Sequence, residues 1–460
     1  MTGPVDQPEV PPSEATPALP ETEAASAAEA EAASDPTAAA VEVIPPEIVA
    51  ASFGEYLRAW GARVRGGDAG ILPVALALVG IFVVFTAISP NNVFLSTRNI
   101  VNLFDQSAVF IVLAMGEGFV LLLGEIDLSI GYVAAIGATV TALLVQPDRN
   151  WPWWAAMVAG IVVCGAIGAI HGTIITRLRI PSFVVTLAGY LFWFGVVLIL
   201  LGSAGSVPVT STILPNQEAI SGIVYSFIDP TVAWIGLVVV VGLLGAAMWR
   251  RDAGRRQSGL VAQPMGVTVM KIGFIAVAGI AVVAICNANR GSILPIVGVP
   301  WVVPLVLALL GLWTVLLEQT QFGRHVYAVG GNPEAARRAG INVGRVRTMG
   351  FVLCSATAGL AGIIYLSQQG AMNTNIQGGS LVLQAVAAAV IGGTSLFGGR
   401  GRAIHGLLGG LVIGAIYNGL YLLGLEIQWQ LIITALVLLA AVSVDSLARR
   451  ASGSGSLARV

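Results

Sequence analysis

In a chain this apolar, the residues able to do chemistry are the few polar ones set inside long hydrophobic runs. Asn102, Asp105 and Gln106 recur at helical spacing near the outer end of one such run and share a face, and Glu117 lies deeper in the same run. Polar groups are expensive in lipid and mark a pathway by default. Amides and carboxylates of this kind bind hydroxyl-rich ligands; they also bond to neighbouring helices or reach the headgroups, and the sequence leaves both readings open. Asn418 in a later run, and Gln368, Gln369, Asn373, Asn375 and Gln377 around the end of another, are weaker members, the latter group being explained equally by a solvated loop. Glu125 and Asp127, with Ser129 close behind, stand at a turn before a helix start, where free N–H groups and the helix dipole favour negative charge. That is first a capping arrangement, with a partner contact or a proton-coupling pair as the alternative.

Other chemistry finds no residues. A nucleotide-binding P-loop needs Gly-Lys-Ser/Thr, and the only lysine is Lys271, within Val269-Met270-Lys271-Ile272. His171, His325 and His405 lie far apart without acidic companions at metal-ligand spacing. Cys164, Cys286 and Cys354 form no paired motif and read as small core residues. No catalytic set, metal or cofactor is therefore expected, and nucleic acid is not an expected partner.

The elements that must position these groups are membrane helices. The 460 residues are 56% hydrophobic and 10% charged, where a soluble domain carries roughly 25% charged residues. After residue 70, successive apolar stretches are long enough to cross a hydrocarbon layer of ~30 Å. This excludes a soluble fold and predicts an all-α polytopic integral membrane protein with about 12 (10–12) transmembrane helices. Spans are expected near 71–89, 100–123, 128–146, 152–176, 181–202, 230–249, 270–286, 299–317, 349–370, 380–397, 403–424 and 429–447. The short, glycine-rich stretch 380–397 reads as a full crossing or as a re-entrant or broken helix. Alternating sides along this order puts twenty of the 23 Lys and Arg on one face, with only Arg98, Arg149 and Arg290 opposite. The positive-inside rule then makes that face, and both termini, cytoplasmic. Trp151, Trp153 and Trp154 fall together at one expected outer boundary.

Residues 1–57 read as a disordered acidic cytoplasmic tail rather than a signal peptide, since ten of the 24 acidic residues lie in the first 50 positions without an apolar block. The membrane domain is expected over 58–450, with an external loop at 203–229, a basic cytoplasmic loop at 250–270 and a cytoplasmic loop at 318–347, followed by a flexible tail at 451–460. The loop at 318–347 holds a short helix with both ends marked. Asn332 can cap it, Pro333 suits its first position, Glu334 complements the positive dipole end, Arg337 and Arg338 the negative end, and Gly340 permits a left-handed stop. Two turns are marginal alone. Ala335, Ala336, Ala339 and Ile341 would offer a small apolar face to a partner's groove.

This loop resembles the coupling helix of bacterial ABC-type sugar permeases of the ribose/xylose family. Gly124-Glu125-Ile126-Asp127-Leu128-Ser129-Ile130-Gly131 is similar to that family's cytoplasmic turn, in which Gly is usual where this chain has Glu125, a form closer to the xylose permeases. Ile180-Pro181-Ser182-Phe183-Val184-Val185-Thr186-Leu187-Ala188-Gly189, Ile391-Gly392-Gly393-Thr394-Ser395-Leu396-Phe397-Gly398-Gly399 and the basic Trp249–Gln257 stretch also look like family segments, in order, from about residue 70 to 450. The resemblance implies a homodimeric permease of the bacterial plasma membrane. It would receive a monosaccharide, a pentose such as xylose, from an extracytoplasmic sugar-binding protein and be driven by a separate ATP-binding subunit docked on its cytoplasmic loops. A secondary transporter, a membrane-embedded enzyme and a branched-chain amino-acid permease are the competing expectations.

Overall fold

The computed structural model describes residues 53–65, 70–210, 214–259, 264–426, 428–429, 431–436 and 439. The acidic tail up to residue 52, most of the expected last span at 429–447 and the tail at 451–460 lie outside the described residues.

Fifteen helices form within them: α1 (Phe53–Arg65), α2 (Leu72–Ile88), α3 (Thr97–Leu122), α4 (Ile130–Leu144), α5 (Trp153–Leu178), α6 (Ser182–Leu201), α7 (Pro215–Tyr225), α8 (Pro230–Gln257), α9 (Met265–Asn287), α10 (Val302–Gln319), α11 (Gln321–Gly331), α12 (Pro333–Arg338), α13 (Val343–Gln369), α14 (Gly378–Ile391) and α15 (Ala403–Leu422). Eight of the described helices are long and apolar enough to cross a membrane, and α2, α4 and α14 are shorter apolar ones. Two small antiparallel pairs tie connections together, β1 (Ser206–Pro208) with β4 (Ala371–Asn373) and β2 (Phe227–Ile228) with β3 (Val299–Pro300).

Polarity sorts the helices into a centre and a rim. The spanning windows of α3, α13 and α15 are 83%, 67% and 67% buried, whereas those of α8 and α9 are 6% and 11% buried. A helix that is apolar all round can face lipid on every side, while one carrying Asn99, Gln106 and Glu117 must turn them inward. α8 runs on to Gln257, past the expected end at 249, so Arg250, Arg251, Arg255 and Arg256 stand on a helix rather than in a loop. Arg255 and Arg256 fall in its last turn, where cations complement the dipole, and Thr268 Oγ1 of α9 donates to Asp252 Oδ2 at 2.5 Å.

Two of the shorter apolar helices, α4 and α14, begin inside the bundle. α4 has 15 residues and α14 has 14, about 22 Å of helix at ~1.5 Å per residue against a layer of ~30 Å. α3 and α13 lie antiparallel, with Gly350 against Leu123 and Gly116 against Cys354. The connections that follow them therefore leave from opposite ends of the bundle. After α3 the chain folds back inward: the Asp127 N–H donates to Glu117 Oε1 at 3.1 Å, although Glu117 lies about 7 Å before the end of that helix at ~1.5 Å rise per residue. α14 comes in from the other end, after β4. The two N-termini meet inside the bundle, where a Cβ on Gly131 would strike the carbonyl of Gly378 and one on Gly378 would lie 2.7 Å from the Tyr132 ring. Only two glycines permit this approach of backbone to backbone. Within the expected span at 128–146 the helix has 15 residues and begins inside the bundle, because the apolar run records the length of a segment and not the depth at which it begins.

Candidate functional site

Three sets of polar groups stand out, two inside the bundle and one on a connection at its end. The first is built on the inward-folding turn between α3 and α4. Asp127 Oδ1 accepts from the Ser129 N–H at 2.9 Å and from Ser129 Oγ at 2.5 Å. Ser129 Oγ lies 3.4 Å from His171 Nδ1 on α5, and Trp193 Nε1 on α6 donates to His171 Nε2 at 3.0 Å. An indole only donates, so Nε2 is the acceptor and a neutral ring presents Nδ1–H to Ser129, whose own hydroxyl donates to Asp127. Cys354 Sγ on α13 sits 3.9 Å from both Glu117 Oε2 and Asp127 Oδ2. Glu117, Asp127, Ser129 and Cys354 are fully buried and His171 nearly so. At the mouth of the turn, Arg347 Nε of α13 lies 3.3 Å from Glu125 Oε1. This is an ion pair by proximity only, since that nitrogen is buried without an aligned hydrogen bond.

This set refines two expectations. The capping groups Asp127 and Ser129 lie buried within the bundle, with Asp127 Oδ1 taking the N–H at the start of α4, and Glu117 joins them rather than Asn102, Asp105 and Gln106. His171, which the sequence reading set aside, is part of the set. Its signal was only the one histidine inside the apolar run 152–176. Among the described residues no group of three or more His, Cys, Asp or Glu could hold a metal ion.

The second set lies toward the opposite end. Asn418 on α15 exchanges two bonds with Asn99 on α3, at 2.8 and 3.1 Å, and donates to Gln106 Oε1 at 3.0 Å. Asn99 escaped the sequence reading because it stands just outside the expected start of its span, although it is one heptad before Gln106. Asn102 is exposed and separate from them. Asp105 turns to another side. Its backbone carbonyl accepts from Gln368 Nε2, Arg290 is its electrostatic neighbour, and its Oδ1 is buried without a hydrogen-bond partner. Both side-chain polar atoms of Asn287 at the end of α9 are buried and unpartnered as well. The Arg290 guanidinium is held by the carbonyls of Cys286 and Gly298 and lies over the Phe227 ring at 5.0 Å.

The third set is the connection from α10 to α13. Asn332 Oδ1 accepts from the N–H groups of Glu334 and Ala335 at 3.1 and 2.9 Å, which fixes the start of α12 behind Pro333. Glu334 pairs with Arg337 at 2.7 Å and Arg338 at 3.6 Å on the exposed face, and Gly340 takes a left-handed φ of 82°. The underside differs from expectation. Ala336 is buried in this chain's own core, with Ile341 packed beside it and Val326, Val329, Val343 and Val346 completing the cluster. Those two residues seat the helix on α11 and α13, leaving Ala335 and Ala339 outward. α11, which the sequence reading missed, cradles the whole connection. Burial pushes the Tyr327 phenol up to about 12, so it remains a donor to the Gly401 carbonyl at 2.7 Å at any working pH.

The family described as branched-chain amino acid transport system / permease component matches residues 99–442. Over 380 residues the chain is 33% identical to the xylose transport system permease protein of Escherichia coli, covering 82% of this chain and 91% of that protein. It is 31% identical over 379 residues to the xylose transport system permease protein of Haemophilus influenzae, covering 81% and 95%. It is 29% identical over 371 residues to the ribose import permease protein of Escherichia coli, covering 81% and 92%. No solved structure matches it.

Proposed function

The chain belongs to the branched-chain amino acid transport system / permease component family, and from that premise we propose that it is the membrane subunit of a binding-protein-dependent ABC importer for a monosaccharide, with D-xylose as its substrate. The observation that carries this reading is the likeness to xylose permeases over 82% of the chain. The subunit carries no catalytic step. A separate ATPase supplies the energy, and two copies of this chain form the transport unit. The arginine-rich end faces the cytoplasm, as the segregation of twenty of 23 Lys and Arg supports, and both termini lie there. The connection 318–347 receives the ATPase, with Asn332, Pro333, Glu334, Ala335, Arg337 and Gly340 shaping the docked helix and Ala336 and Ile341 anchoring it from beneath. Sugar enters at the opposite end past Asp105, beside a wall braced by Gln106 and Asn418.

In this reading the chain supplies shape and timing. ATP-driven closure of the ATPase pair displaces α12, the displacement travels into α13 and the inward-folding turn, and the central helices change the end at which the path is open. The test is uptake of labelled xylose into vesicles holding this chain, its ATPase and its binding protein, with ribose, arabinose, glucose and leucine as unlabelled competitors. Uptake that needs all three components and is suppressed best by xylose is expected. Uptake without the ATPase sinks the importer reading, and suppression by leucine in preference to the sugars moves the substrate to amino acids.

A further inference from the structure

At the arginine-rich end, three connections meet at one carbonyl. Leu122 ends α3, and its carbonyl oxygen, one of those a helix leaves without an intrahelical partner, accepts the Gly399 N–H at 2.8 Å. Gly330, near the end of α11, lies against the same oxygen. A Cβ there would overlap the Leu122 carbonyl and stand 2.7 Å from Gly399 N. From the third side, a Cβ on Gly398 would lie 2.7 Å from the Gly330 oxygen and 3.0 Å from Gly124 N. The Gly401 carbonyl two residues on is held by Tyr327 Oη of α11. The last turn of α11, the start of the inward-folding turn after α3 and the connection between α14 and α15 thus touch backbone to backbone, without side chains between them.

Contact of this kind does not yield as side-chain packing does. A side chain can change rotamer and absorb a small displacement, whereas carbonyl and amide groups in direct contact must move together or separate. α11 is continuous with α12 through Asn332, whose N–H donates to Ala328 O at 3.1 Å. A shift of α12 that carries α11 with it reaches Leu122 and Gly399 through the backbone contacts of Gly330. Those two residues lie on the connections that lead into α4 and out of α14, whose N-termini meet at Gly131 and Gly378.

We propose that Gly330 is a positioning residue, the rigid joint through which movement of the α11–α12 connection is passed at once to the inward-folding turn and to the connection after α14. This rests on the proposed docking of an ATPase at α12. Gly331 supplies the control within the same helix end, because a Cβ there would meet nothing within 4 Å. The experiment compares Gly330→Ala, Gly331→Ala and the unaltered full chain, each in vesicles with its ATPase and binding protein, and reads sugar imported per ATP hydrolysed together with the amount of ATPase retained. Because it is a ratio, the readout is not moved by a change in the amount of folded protein. Gly330→Ala is expected to hold the ATPase and let it hydrolyse ATP while the ratio falls about tenfold, and Gly331→Ala is expected to match the unaltered chain. Equal ratios for all three, or an equal fall in both variants, would overturn the joint. Should Gly330→Ala not reach the membrane, Tyr327→Phe keeps the packing and removes only the bond to Gly401. Its ratio is expected to fall two- to threefold, and no change there counts against the joint. An unaltered chain that imports sugar without hydrolysis defeats the ATPase reading itself and is told apart by needing no variant.

Discussion

The two polar sets inside the bundle differ in one respect that decides how each is used. Around the inward-folding turn, Asp127, Ser129, His171 and Trp193 form a chain in which each donor has an acceptor. Toward the opposite end, Asp105 Oδ1 and both polar atoms of Asn287 are buried with nothing to bond. A satisfied network in a low-dielectric interior fixes its members in place, and an unsatisfied one carries an uncompensated desolvation cost. The first therefore holds the start of α4 in place, and the second is where, on the proposed sugar path, a hydroxyl-rich ligand would find open valences. The amide cluster of Asn99, Gln106 and Asn418 lies at the same end as the second but shares the character of the first, since its bonds are made within the chain.

The largest effect that separates the two ends is expected from Asp127→Ala. It removes the acceptor of both Ser129 bonds in a fully buried place, and leaving buried donors unmet should cost about 3 kcal/mol or more. Thermal unfolding of the purified chain in detergent micelles reads it. A melting temperature within a degree of the unaltered chain would show that the turn is not held by this network. Asn418→Ala comes next. It strips partners from Asn99 and Gln106 together and is expected to cost about 2 kcal/mol in the same measurement, with transport lowered only as far as folded protein is lost. A fall in transport with no loss of stability would move the amides from architecture to path.

The sequence carried the apolar spans and the caps of α12 because both are local: hydropathy over a window, and a side chain beside its own helix end. What it could not carry was depth. Asp127 precedes a helix in the sequence, as a surface cap would, and only folding back against Glu117 puts it inside the bundle. Glu117 was grouped with Asp105 because both stand on one helix, yet about 18 Å of helix rise separates them at ~1.5 Å per residue. α11 escaped because Gly323, Gly330 and Gly331 argue against a helix locally. Its stability comes from Val326 and Val329, buried against α3, α10 and α13, and one of those glycines is required by the close approach to Leu122. Ala336 was offered to a partner because its small size fits a groove, and the groove proved to be in this chain.

Asp105→Asn sharpens the comparison from the other end. The substitution keeps the shape, removes a buried carboxylate that has no side-chain bond, and should leave stability unchanged or slightly raised, because no side-chain hydrogen bond is lost. The sugar should lose the carboxyl group as a hydrogen-bond partner. The half-saturating concentration of binding-protein-delivered sugar in vesicle uptake is expected to rise about tenfold, equivalent to ~1.4 kcal/mol. An unchanged uptake curve together with raised stability would reduce Asp105 to an architectural residue and close the contrast drawn between the two ends.

The smallest effect on stability belongs to the exposed face of α12, outside both sets. Glu334 and Arg337 are 57% and 65% exposed in their side chains although they approach to 2.7 Å. A pair so open to solvent is worth no more than about 0.5 kcal/mol, while the hold on α12 comes from Asn332 above and Ala336 beneath. Glu334→Ala should therefore melt with the unaltered chain to within about a degree. If the ATPase grips this face, the same variant should lower the ATPase retained on purified chain severalfold, and added salt should weaken the unaltered complex in the same direction, since exposed charge contacts are screened. Loss of stability without loss of ATPase would make Glu334 a strut of the loop. Loss of ATPase alone would show that this end of the molecule, unlike the two buried sets, spends its charges on a partner and not on the fold.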